Sequence, residues 1–165
     1  PVVRLAPPPP ANPAPSGQPA SPASMADSKI LGPVGYGDLT LGTSRADAFA
    51  KGLLTPADTS ITLPEGCTLH HLAGRVGPNQ VAVYASPRGG IVQIGAAPDW
   101  RTPEQIGIGS TLAQVKAAYW ELSQQVNEAE TSVPGNPEAT YRFLFDKQGK
   151  VAEFALALRG QECTN

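Results

Sequence analysis

Histidine and cysteine are nearly missing from this chain, at two residues each in 165, and that scarcity limits the chemistry it can carry. A zinc or copper site takes three or four ligands drawn largely from those two residue types. A Ser–His–Asp site would have to use His70 or His71, and no nucleophile-elbow motif accompanies either. Charge is sparse as well. Only 16% of residues are charged and the net charge is −2, which leaves no basic footprint for nucleic acid. No apolar run reaches the roughly 20 residues of a membrane-spanning helix. Aromatic residues make up 6%, so each aromatic cluster carries a large share of the core. The expectation is a chain that is not an enzyme and needs no cofactor.

Proline is what the chain has in excess, and it is unevenly placed. The first 24 residues hold nine of the 18 prolines, with Arg4 as their one charge. Such a segment has little apolar surface to bury and favours extended polyproline geometry. Residues 1–28 are therefore expected to be a disordered spacer, and 29–165 the folded domain. The two cysteines, Cys67 and Cys163, are even in number and flanked by turn-rich sequence. Behind a Pro/Ala/Ser spacer they read as one disulfide in an extracellular or cell-envelope protein. Two buried cytosolic thiols are the alternative.

The folded part is organised around 105–122, QIGIGSTLAQVKAAYWEL. Ile106 and Ile108 alternate as in a half-buried strand, Gly109 breaks it, and Thr111 with Gln114 has the spacing of a capping box. Leu112, Val115, Ala118, Tyr119 and Leu122 then share a helical face. Similar wording occurs earlier, where Leu39–Ala46 aligns with Ile106–Ala113 at an offset of 106 − 39 = 67 residues. There Ser44 takes the cap position, and the helix's own periodicity presents Ala46, Phe49, Ala50 and Leu53. The chain holds either a duplicated unit or two units sharing common cap chemistry. Hairpins are expected around Ser86-Pro87-Arg88-Gly89 and Asp146-Lys147-Gln148-Gly149, the second flanked by strongly alternating Tyr141, Phe143 and Phe145. The fold class expected is α+β: two strand–helix–hairpin units, about 30–100 and 101–165, packing helices on antiparallel sheet.

Two segments carry a family resemblance. Ile108-Gly109-Ser110-Thr111-Leu112-Ala113-Gln114-Val115 and, more loosely, Leu41-Gly42-Thr43-Ser44-Arg45-Ala46-Asp47-Ala48 resemble an apolar-x-x-Gly-x-Thr-x-x-x-Val signature. That signature opens the tandem repeats of the β-lactamase-inhibitory protein family and of small outer-membrane assembly lipoproteins of related fold. The Ala/Gly/Pro-rich usage is similar to that of actinobacterial secreted proteins or lipoproteins. The resemblance implies a non-catalytic protein-binding module, in sharper form an inhibitor or an assembly adaptor. Its partner would be a secreted hydrolase or an envelope component. The inhibitor family's disulfides each lie within a repeat, whereas Cys67 and Cys163 would cross between units.

The candidate binding residues are Trp120, Tyr84, Trp100 and Arg88, the types that dominate protein interfaces. The alternative for the three aromatics, Trp100 above all, is that they fill the crevice between the units as core. Trp120 is displaced from the apolar face of its helix, Trp100 lies between the units, and Arg88 sits at a hairpin tip. The rival reading is a metal-dependent enzyme or metal-binding protein using Cys67-Thr68-Leu69-His70-His71. Glu65 is the one further ligand nearby, and adjacent histidines on a strand point to opposite faces. Gly107-Ile108-Gly109 lacks the third glycine of a dinucleotide loop, since Leu112 stands there.

Overall fold

The computed structural model describes residues 29–164. The segment 1–28, expected to be a disordered spacer, lies outside the described residues. Strands β1 (Gly35–Tyr36) and β2 (Leu39–Thr40) form a small antiparallel pair, followed by helix α1 (Arg45–Ala50). Then come β3 (Thr68–His71), β4 (Ala82–Ser86) and β5 (Gly90–Gly95). The second half supplies α2 (Leu112–Ala118), β6 (Ser123–Gln124), β7 (Glu128–Val133), β8 (Asn136–Phe145) and β9 (Val151–Leu158).

The strands build one seven-stranded antiparallel sheet in the order β3-β4-β5-β9-β8-β7-β6. Two meanders thus meet at their last strands, where Gln93, Ile94 and Gly95 pair with Ala157, Leu156 and Ala155. This corrects the α+β expectation. The protein is mostly β, and its helices of six and seven residues each bury a single side chain, Ala48 and Val115. Neither helix has the length to lay an apolar stripe along a sheet.

The reasons are local. In α1, Gly52 adopts φ 70°, so the helix cannot run on, and Phe49 and Ala50 face solvent. In α2 the backbone turns extended at Tyr119 (φ −130°, ψ 102°), which drops that side chain into the core instead of continuing the turn. Its hydroxyl donates to Glu104 Oε2 at 2.7 Å and lies 2.7 Å from Thr102 Oγ1. Loops and the small β1–β2 pair do the covering that helices were expected to do. Leu31, Tyr36, Leu39, Leu54, Ala97, Trp100 and Ile106 close one sheet face over Val83, Ile94, Leu156, Tyr141 and Phe143.

The helix caps form as their chemistry requires. Thr111 and Gln114 make a reciprocal capping box, and Ser44 Oγ accepts from Asp47 N at 3.1 Å. The cap turns dock in matching ways on the strands that end each meander. Gly42 N donates to Ile91 O at 2.9 Å and Ile91 N to Thr43 O at 2.8 Å. Gly109 N donates to Val151 O and Val151 N to Ser110 O, both at 2.8 Å. The buried helix positions also agree in spacing, 115 − 48 = 67 residues. The first helix therefore buries Ala48, and of the face Ala46, Phe49, Ala50 and Leu53 that its periodicity presents, only Leu53, beyond the helix end, packs on the core.

Cys67 and Cys163 are joined, with Cα atoms 5.7 Å apart and a sequence separation of 96. A disulfide goes with an oxidising, extracellular-type compartment. It anchors the chain end after β9, which crosses the sheet as a strap. Thr164 Oγ1 donates to Gln93 Oε1 at 2.6 Å, and Arg142 Nη1 donates to Thr164 O at 3.0 Å. Beyond β3 the sheet's other edge is closed by the preceding loop, where Thr55 N and Asp58 N donate to His71 O and Leu69 O. Among the described residues no helix is long and apolar enough to cross a membrane.

Candidate functional site

Side chains alternate across a strand, so the face of the sheet turned away from the core follows from register alone. One row runs Leu69, Tyr84, Gln93, Ala157, Thr140, Ser132 across six strands. A second runs Gly95, Ala155, Arg142, Glu130, Ser123. A third is Glu153, Leu144, Glu128. The twist of the sheet makes this face concave, with a hollow of about 860 Å³ lined by side chains of all three rows. The strap closes one end, burying Leu69, Val92, Ala157 and Cys163, and leaves the β7–β9 end open.

Only part of the expected binding set belongs here. Tyr84 is half-buried in the hollow beside Gln93. Trp120 is 88% exposed and does not itself line the hollow, although its sequence neighbour Glu121 does. Trp100 is not a surface residue. It is 1% exposed, stacked on Tyr36 with ring centroids 3.8 Å apart, and covered by the Arg75 guanidinium at 4.8 Å. The bridge between the halves holds it in the core, so it has no face for a partner. Arg88 sits apart as well, at the exposed β4–β5 turn, where it lines a separate groove of about 350 Å³ with Arg45 and Phe49.

No protein-family model, curated protein or solved structure matches this chain. The site is therefore read from its own geometry.

The metal alternative loses its donors. Cys67 sulfur is committed to the disulfide. His70 is buried, its Nδ1 2.9 Å from Thr55 O and its Nε2 2.8 Å from Thr68 Oγ1. The carbonyl can only accept, so Nδ1 carries the proton and Nε2 accepts from the Thr68 hydroxyl. Burial holds the His70 pKa below the ordinary imidazole value, and the charges of Arg45 and His71 push the same way. His70 is thus a neutral strut between β3 and the loop at 55. His71 points to the other face, as adjacent strand residues must. Among the described residues there is no group of three or more His, Cys, Asp or Glu that could hold a metal ion.

Sequence reasoning missed Gln93, Arg142, Glu130 and Glu153. The signal for Arg142 was present in β8, where the polar phase Arg142–Leu144 alternates with Tyr141 and Phe143. Gln93 was hidden inside the apolar run Ile91–Ile94, and only the β5–β9 pairing makes its side chain central. Arg142 is held in place by Glu130, 3.9 Å away, and by the strap.

Proposed function

We propose that this chain is a non-catalytic, extracellular or cell-envelope protein-binding module whose partner docks on the open face of the sheet. The observation that carries this reading is the hollow itself, a concave surface spanning the strands from β4 to β6, with Tyr84 at its β4 end and the exposed Trp120 adjoining its lining residue Glu121 in sequence. Concavity, a few fixed polar groups and an exposed tryptophan are the features of a docking surface. The disulfide supports an oxidising location. The resemblance carried by the two cap segments makes a secreted hydrolase, β-lactamases included, the first partner to try. An assembly role at the envelope comes next. Here the disulfide joins the two halves of the chain instead of closing each one, which argues for a partner other than a β-lactamase.

The test is affinity capture from culture and envelope fractions, run with wild type, Tyr84→Ala, Trp120→Ala and Val34→Ser. Val34 is 57% exposed away from the open face and serves as the control. Each aromatic anchor lost is expected to cost about 2 kcal/mol or more. Capture that survives both aromatic changes and fails with Val34→Ser would refute the reading.

A further inference from the structure

The β7–β9 half of the open face combines two features that are seldom left together in water. Leu144 is 39% exposed and lies directly between Glu153 and Glu128 in the cross-strand register. Val126, 94% exposed, sits in the β6–β7 turn, and Trp120, 88% exposed, adjoins Glu121. Glu121, Glu128 and Glu153 line the hollow, and none has an ion pair among the described residues. Among the described residues the basic side chains of the hollow are Arg142 and Arg159, and both are already engaged. Arg142 faces Glu130 at 3.9 Å and donates to Thr164 O at 3.0 Å. Arg159 donates to Pro137 O at 3.3 Å and to Ser132 Oγ at 2.9 Å. Among the described residues no lysine lines the hollow.

The occupant follows from this mixture. A wholly apolar partner would cover Leu144 but strand the flanking carboxylates away from water without partners, which is costly. An anionic partner would be repelled by them. Lysine and arginine side chains combine an apolar stem with a cationic head, so they can lie over Leu144 and reach Glu128 or Glu153 at once. We propose that the partner presents a lysine- or arginine-rich protein segment to the β7–β9 half of the open face. This rests on the reading of that face as the docking surface.

Two synthetic peptides test it, one alternating lysine with leucine and its twin alternating glutamate with leucine. Each is titrated into isotopically labelled wild type and into the Glu128→Gln/Glu153→Gln variant, following backbone amide shifts at low and moderate salt. Both substitutions are on exposed strand positions and keep side-chain size, so the fold is retained. The lysine peptide is expected to move amides of β7, β8 and β9, and to weaken several-fold on adding salt. Its affinity should fall about five- to tenfold in the double variant. Equal binding of the lysine peptide to wild type and double variant overturns the proposal, as do shifts confined to residues outside β7–β9. If both twins bind the open face alike, the face is a docking surface without charge preference, and this inference falls while the reading it rests on stands. If neither peptide moves amides on any part of that face, both fall together.

Discussion

Removing the Cys67–Cys163 link tests how the strap is held. The bond closes a loop whose ends are 96 positions apart in sequence, and in the chain-entropy model such a loop restrains the unfolded state by about 4–5 kcal/mol. Measured values run lower, about 2–4 kcal/mol, and part of the strap's hold persists without sulfur. The turn at Gly160, the Gln161 carboxamide accepting from Cys163 N, and the Thr164–Gln93 bond all remain. The expectation for Cys67→Ala/Cys163→Ala is therefore a loss of about 3 kcal/mol. For a domain of this size that lowers the thermal midpoint by about 10 °C. Thermal unfolding of wild type and variant, each with and without reductant, measures it. Reductant should lower the wild type to the variant's midpoint and leave the variant unmoved. A shift under about 2 °C, or a variant still sensitive to reductant, would refute the reasoning.

Other outcomes follow from buried groups. His70 is held neutral, so its folded pKa lies below 6.5 and the unfolded chain binds the extra proton first as pH falls. Stability should decline from about pH 6.5 downwards by at most about 1.4 kcal/mol per pH unit, levelling off below the folded pKa. Urea titrations across that range should show the slope in wild type and lose it in His70→Asn; an unchanged slope would sink the assignment. Trp100→Ala should cost about 3–5 kcal/mol, because a fully buried indole leaves a cavity under Arg75, and equilibrium unfolding reads it directly. Tyr119→Phe leaves Glu104 and Thr102 without a shared hydroxyl and should cost about 1–2 kcal/mol in the same assay.

What the sequence made legible is local, and what it hid is long-range. The capping box of Thr111 and Gln114, the Ser44 cap, the turn at Gly149 and the alternation of Tyr141, Phe143 and Phe145 each depend on neighbours a few residues away, and each forms. The 67-residue offset holds only for the cap turns themselves: Gly42 and Gly109 make matching bonds to Ile91 and Val151, which stand 151 − 91 = 60 residues apart. The merging of two meanders into one sheet rests on pairs such as Gln93 with Ala157, and no local pattern encodes those. The expected α+β layering failed because periodicity marks which helix face is apolar but not where the helix stops. Tyr119 falls on that face, yet it reaches the core by leaving the helix. The two tryptophans illustrate the same limit. Trp120 lies off its helical face and is exposed, whereas Trp100 carries no local sign that Tyr36 and Arg75, far away in sequence, enclose it.

The central claim is that a protein partner meets the open face of the sheet, and a site-specific photo-crosslinker tests it most directly. Placed in turn at Gln93, Ser132 and Val34, it reports which surface the captured partner touches in the native complex. Gln93 and Ser132 lie in one row across the hollow, and Val34 is exposed elsewhere. The account predicts adducts from Gln93 and Ser132 and none from Val34. Adducts from Val34 with none from the two face positions would contradict it.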